Sequence, residues 1–134
     1  MIKNVVLIGA GNLATQLALA LVEKGMLVTQ VFSRKTESAK ELAEKINAEF
    51  TTDLSLLKKD ADLYIIAVRD SAIPEVLENL NLDENKLIVH TAGSVPMNIL
   101  EGFSANYGVF YPLQTFSKSR KVDFSNVPIC IEAN

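Results

Sequence analysis

The chain has 134 residues, enough for one domain with a substantial core and too few for two ordinary ones. Hydrophobic residues make up 49% and charged residues 22%, a balance that excludes a disordered or fibrous protein. The net charge is −3, with 13 basic and 16 acidic residues dispersed along the chain, so no stripe exists to neutralise a nucleic-acid backbone, and no apolar run approaches the roughly 20 residues of a membrane span.

Met1-Ile2-Lys3-Asn4 leads straight into an apolar stretch, without the basic region, apolar run and cleavage site of a secretory signal, so a cytoplasmic protein is expected. Cys130 stands alone and the chain has one histidine, which leaves neither an internal disulfide nor a metal site to expect. The thiol reads as a small apolar filler in a late strand.

Ile2 to Ile8 is β-branched and apolar nearly throughout and stops at Gly9, the pattern of a strand buried on both faces. Leu13, Leu17, Ala20 and Leu21 then recur at helical steps up to Gly25, placed as a C-terminal cap glycine. Leu27 to Phe32 predicts a second strand. Ala39, Leu42, Ala43 and Ile46 give one apolar stripe to a helix that Thr36 can cap. A short strand at Ala48 to Phe50, a helical turn around Leu54 to Lys58 and a strong strand at Leu63 to Val68 follow. Asp70 can cap the next helix, which tolerates Pro74 in its first turn and carries Ile73, Val76, Leu77 and Leu80 on one face. Leu87 to His90 is a further strand, and Val109 to Tyr111 and Ile129 to Ile131 are weaker candidates. The alternation predicts right-handed crossovers and a parallel sheet: a doubly wound α/β domain of the Rossmann type, occupying residues 1–134.

Gly9-Ala10-Gly11-Asn12-Leu13-Ala14 matches the G-x-G-x-x-G/A fingerprint in the context its mechanism requires, between a strand and a helix. The first glycine makes the tight turn, the second lets backbone approach a pyrophosphate, and the small third residue permits close helix packing. Phosphates then meet free N–H groups at a helix N-terminus. An NAD site usually carries an acid at the end of the second strand to bond the ribose 2′-hydroxyl. Here that strand runs into Ser33-Arg34-Lys35-Thr36, hydroxyls and cations suited to a 2′-phosphate, which points to NADP and away from S-adenosylmethionine.

Three segments, Val6 to Ala14, Phe32-Ser33-Arg34 and Val68-Arg69-Asp70-Ser71-Ala72-Ile73, resemble pyrroline-5-carboxylate reductases. His90-Thr91-Ala92-Gly93-Ser94-Val95-Pro96 and Gly108 to Phe116 look like a bacterial family of NADP-dependent oxidoreductases related to them, many members of which carry His-Pro where this chain has Tyr111-Pro112. The resemblance implies a following all-helical domain that completes the substrate cleft and forms a homodimer, so this chain is expected to be the N-terminal domain alone.

Ligands of an open α/β sheet bind beyond the carboxyl ends of its strands. Val68, Arg69 and Asp70 are therefore expected near the nicotinamide-side ribose, with Asp70 serving more as a helix cap than as an acid. His90 could donate a proton to a carbonyl or imine as hydride arrives, or could hydrogen-bond loop backbone instead. Ser94, Tyr111 and Gln114 are candidates for the substrate side. The sequence thus favours hydride transfer between NADP(H) and a small carbonyl or imine, with an NADP-binding sensor lacking turnover as the alternative.

Overall fold

The computed structural model describes residues 2–112, 116–120 and 129–133. Seven strands form one sheet: β1 (Asn4–Ile8), β2 (Leu27–Phe32), β3 (Glu49–Thr51), β4 (Leu63–Ile66), β5 (Leu87–His90), β6 (Asn106–Pro112) and β7 (Ile129–Ala133). Their order is 3-2-1-4-5-6-7. The first six run parallel, as expected of a doubly wound Rossmann sheet, while β7 pairs antiparallel with β6. The antiparallel strand sits at one edge, where a strand arriving from the far end needs no crossover helix.

Side chains alternate across β1, so the apolar run splits between two cores. Val5 and Leu7 pack with α1 (Asn12–Glu23) and α2 (Thr36–Ile46) through Leu17 and Leu42. Val6 and Ile8 face the other way, onto Ile73, Val76 and Leu77 at the start and in the body of α3 (Ile73–Glu78), joined by Leu100 from the 3₁₀ turn Met97–Leu100. Both faces are covered, which is why these strands are apolar throughout rather than alternating. Gly25 ends α1 with φ +89° while the Met26 N–H returns to the Leu21 carbonyl at 3.0 Å, the glycine-capped ending expected.

Three local expectations change. Thr36 is the first helical residue of α2 and not its cap; the cap position belongs to Lys35, whose carbonyl accepts the Ala39 N–H at 3.1 Å. Asp70 opens a 3₁₀ turn, Asp70–Ala72, and caps no helix, because that extra turn moves the start of α3 to Ile73. β4 stops at Ile66, two residues short of Val68, where the chain leaves the sheet beneath Gly9. No helix among the described residues is long and apolar enough to cross a membrane.

The start of β1 is clamped by Asp62, which accepts the N–H groups of Asn4 at 3.0 Å and Lys3 at 2.9 Å. Those bonds favour the charged form and hold its carboxyl below the ordinary value of 3.8. A depressed value means stabilisation that is present above the ordinary carboxylate range and is lost as pH falls through the folded value. Asp62→Asn is expected to flatten the acid side of a stability-versus-pH curve below about pH 4, read as urea midpoints. An unchanged acid limb would show that the clamp does not couple to protons.

Candidate functional site

The order 3-2-1-4 puts the reversal of strand order between β1 and β4, and a crevice opens beyond their carboxyl ends. Its larger part is a cleft of about 750 Å³, within the range of small-molecule sites. Gly9, Ala10 and Gly11 form one wall, Ser33, Arg34 and Lys35 another, and Val68 and Arg69 a third. A second cleft of about 390 Å³ continues past Gly11, Val68 and Arg69, which line both, to Asn12, Leu13, Asp70, Ser94 and Tyr111. The fold thus brings nearly all the residues singled out in the sequence to one crevice. Ala14 is fully buried under the turn, where a larger side chain would push helix from strand, and Thr36 lines neither cleft. Gln114 lies outside the described residues.

The glycine turn is built as a cradle. Gly9 holds φ +133°, its N–H bonds the Phe32 carbonyl at 2.7 Å, and a Cβ there would strike the backbone of Ala67. Gly11 occupies the cap position of α1 in extended conformation, with no side chain capping the helix and nothing within 4 Å of where its Cβ would be. The first N–H groups of α1 are thereby left facing the cleft without a side-chain acceptor, the donor set that phosphate oxygens complete. Four cationic side chains line the larger cleft, Arg34, Lys35, Arg69 and Lys118, against two acidic ones, Asp53 and Glu75. A chain of net charge −3 therefore gathers an excess of positive charge along this cleft.

At the end of β2, the Ser33 hydroxyl accepts the Lys35 N–H at 3.2 Å and shapes the turn. Arg34 reaches Glu75 on α3 at 3.5 Å, both more than half exposed. Such an exposed pair is worth little, so the guanidinium is free to exchange partners. Asp53 follows β3, where bonds from the Ser55 hydroxyl and backbone N–H hold its carboxyl low. Ser38, Asp53, Glu75, Asn79 and Lys118 were not legible as site residues, since no strand-end motif marks them.

In the smaller cleft, the Ser94 hydroxyl donates to the Asp70 carboxylate across a gap of 24 residues. The Tyr111 ring lies so close over Gly93 that a Cβ on Gly93 would come within 2.8 Å of its Cζ atom. That contact explains the glycine in the His-Thr-Ala-Gly-Ser segment, which sequence alone had left without a role. His90 has no exposed surface. Its Nδ1 accepts the Ala92 N–H at 3.1 Å and its Nε2 meets the Pro96 carbonyl at 3.3 Å, which it can only donate to. Both ring nitrogens are committed to the loop 91–96, and no face of the ring opens on either cleft. Here the geometry departs from the proton-donor expectation: the ring shapes the loop that carries Thr91 and Ser94 to the cleft.

Comparison with known proteins agrees with this geometry. Residues 4–94 match the family described as NADP oxidoreductase, coenzyme F420-dependent. A pyrroline-5-carboxylate reductase of Methanosarcina acetivorans is 25% identical over 99 residues, which cover 70% of this chain and 37% of that one. The crystal structure of a candidate NADP oxidoreductase from Bacteroides fragilis superposes with a TM-score of 0.89 at 55% identity, over 98% of this chain and 51% of the other. A Coxiella burnetii pyrroline-5-carboxylate reductase shares the fold at TM-score 0.79 and 22% identity, over 100% of this chain and 50% of its own. The chain therefore spans about half the length of these solved relatives.

Proposed function

The chain belongs to the family of NADP oxidoreductases described as coenzyme F420-dependent, and from that premise we propose that its crevice binds NADP(H) for hydride transfer to or from a small carbonyl or imine. The observation that carries the NADP assignment is Ser33-Arg34-Lys35 lining the same cleft as the glycine turn, with no acid at the end of β2. Arg34 would exchange Glu75 for the 2′-phosphate, gaining a charge-assisted bidentate partner in place of an exposed carboxylate. Gly9 to Ala14 would take the pyrophosphate on the N-terminus of α1. The nicotinamide would lie toward Val68, Asp70 and Ser94, and Tyr111 would bound the substrate side.

When bound, the nicotinamide supplies the hydride chemistry. The chain's own part is to orient that ring and keep water from it. The Ser94 hydroxyl, held by Asp70, is the group of this chain best placed to bond a substrate heteroatom there. His90 acts in this reading as a positioning residue for the loop. The name of the Methanosarcina relative, a pyrroline-5-carboxylate reductase, supports an imine or carbonyl substrate. A following helical domain would close the substrate side and form a homodimer, and a cytoplasmic location fits the need for NADPH.

Calorimetric titration of the chain with NADP and with NAD tests the assignment. NADP is expected to bind at least tenfold more tightly, about 1.4 kcal/mol, with the preference abolished in Arg34→Ala. Equal affinity for the two, or binding of neither, would overturn it.

A further inference from the structure

Gln16 lies on the second turn of α1 and is 2% exposed, and a buried amide at such a place needs partners. Its Nε2 donates to the carbonyl of Ser117 at 2.8 Å and also reaches that of Lys118 at 3.3 Å. These residues stand 101 and 102 positions away in the sequence. The helix that begins at the glycine turn thus also holds the segment beyond β6 in place. Lys118 lines the larger cleft together with Gly9, Ala10 and Gly11, is half-buried, and forms no ion pair among the described residues.

Resting on the reading that the cleft takes a dinucleotide, we propose that Lys118 is a further phosphate-binding residue, held against the pyrophosphate by the buried Gln16. Its anchor is four residues from Asn12, about 6 Å along the axis of α1, and Lys118 lines the cleft together with the glycine turn. Arg34 and Lys35 approach from the end of β2, the other wall. The two sets divide the anion: Arg34 and Lys35 serve the 2′-phosphate, and Lys118 serves the phosphates that NADP and NAD share. Residues 4–94, the span matching the family, do not reach Lys118.

This division makes the test selective. In calorimetric titrations of the 134-residue chain, Lys118→Met is expected to weaken NADP and NAD by the same factor, about tenfold, the order of a lost charge-assisted bond. The difference from the parent chain should shrink as ionic strength rises. Gln16→Met, which leaves the ammonium but frees its segment, should weaken both dinucleotides by less and add nothing once Lys118 is gone. If Gln16→Met does not fold, Lys118→Arg replaces it and should restore most of the affinity. Unchanged binding in Lys118→Met overturns the assignment, as does weakening of NADP alone, which would put the ammonium at the 2′-phosphate. An unmodified chain that binds neither dinucleotide removes the cofactor reading itself and this role with it.

Discussion

Gly9→Ala is expected to destabilise the chain by about 3 kcal/mol or more, since a left-handed backbone costs a side chain roughly 1–3 kcal/mol and steric overpacking adds a similar amount. Both causes are present at this position. Gly9 has φ +133°, and an added Cβ would lie 2.8 Å from the Ala67 carbonyl carbon and closer still to its oxygen. Neither atom can move aside cheaply, because the Ala67 N–H is bonded to the Ile8 carbonyl at 2.8 Å and continues the β1–β4 pairing. The sheet would have to part at the point where its strand order reverses. Gly11→Ala is the matched control: extended backbone and nothing within 4 Å of the new Cβ leave the fold untouched, while the methyl enters both clefts. Urea denaturation should therefore show a large loss for Gly9→Ala and almost none for Gly11→Ala, and titration should show weakened NADP binding for Gly11→Ala. Equal stability of Gly9→Ala and the parent chain would mean that the turn is not under the constraint described.

His90→Leu carries the second large effect. Leucine fills much of the same volume but offers no polar atom, so the buried Ala92 N–H loses its partner, while the Pro96 carbonyl keeps the Ile99 N–H at 3.3 Å. That buried N–H left unsatisfied costs about 1–3 kcal/mol, and a loss of that order is expected. Against a typical total of about 5–15 kcal/mol, that is a large share of the fold's stability. The loop 91–96 would also lose its shape, moving Ser94 away from Asp70 and loosening the smaller cleft. The measurement is a urea midpoint together with proteolysis across residues 91–96. A leucine variant as stable and as resistant as the parent would show that the ring does not hold the loop, and would return His90 to consideration as a proton donor.

Much of the fold was legible because its signals are local. A strand buried on both faces must be apolar at every position, and Val5 to Ile8 is. The helix after it must repeat every three to four residues, and Leu13, Leu17 and Leu21 do. The glycine fingerprint and the Ser33-Arg34-Lys35 turn are readable for the same reason, since strand ends converge wherever a parallel sheet forms, and both reach the cleft. Helix starts were less legible. Thr36 and Asp70 have the chemistry of caps, yet one residue of shift in α2 and an intervening 3₁₀ turn before α3 gave those places to Lys35 and Ala72.

The sequence by itself determined the parallel Rossmann sheet, through the alternation of strand and helix patterns along the chain, and the phosphate turn and the cations after β2, each written within a window shorter than one strand and one helix. Only the tertiary structure decided that Asp70 serves Ser94, that Tyr111 rests on Gly93, that His90 is sealed into its loop, that Glu75 faces Arg34 and that Gln16 brings Lys118 to the cleft. Four of these partnerships join residues 18 to 102 positions apart, whose meeting depends on strand order and packing that no short window encodes; the fifth, His90 with Pro96, is close in sequence, but which side its ring faces is set by the core beneath it.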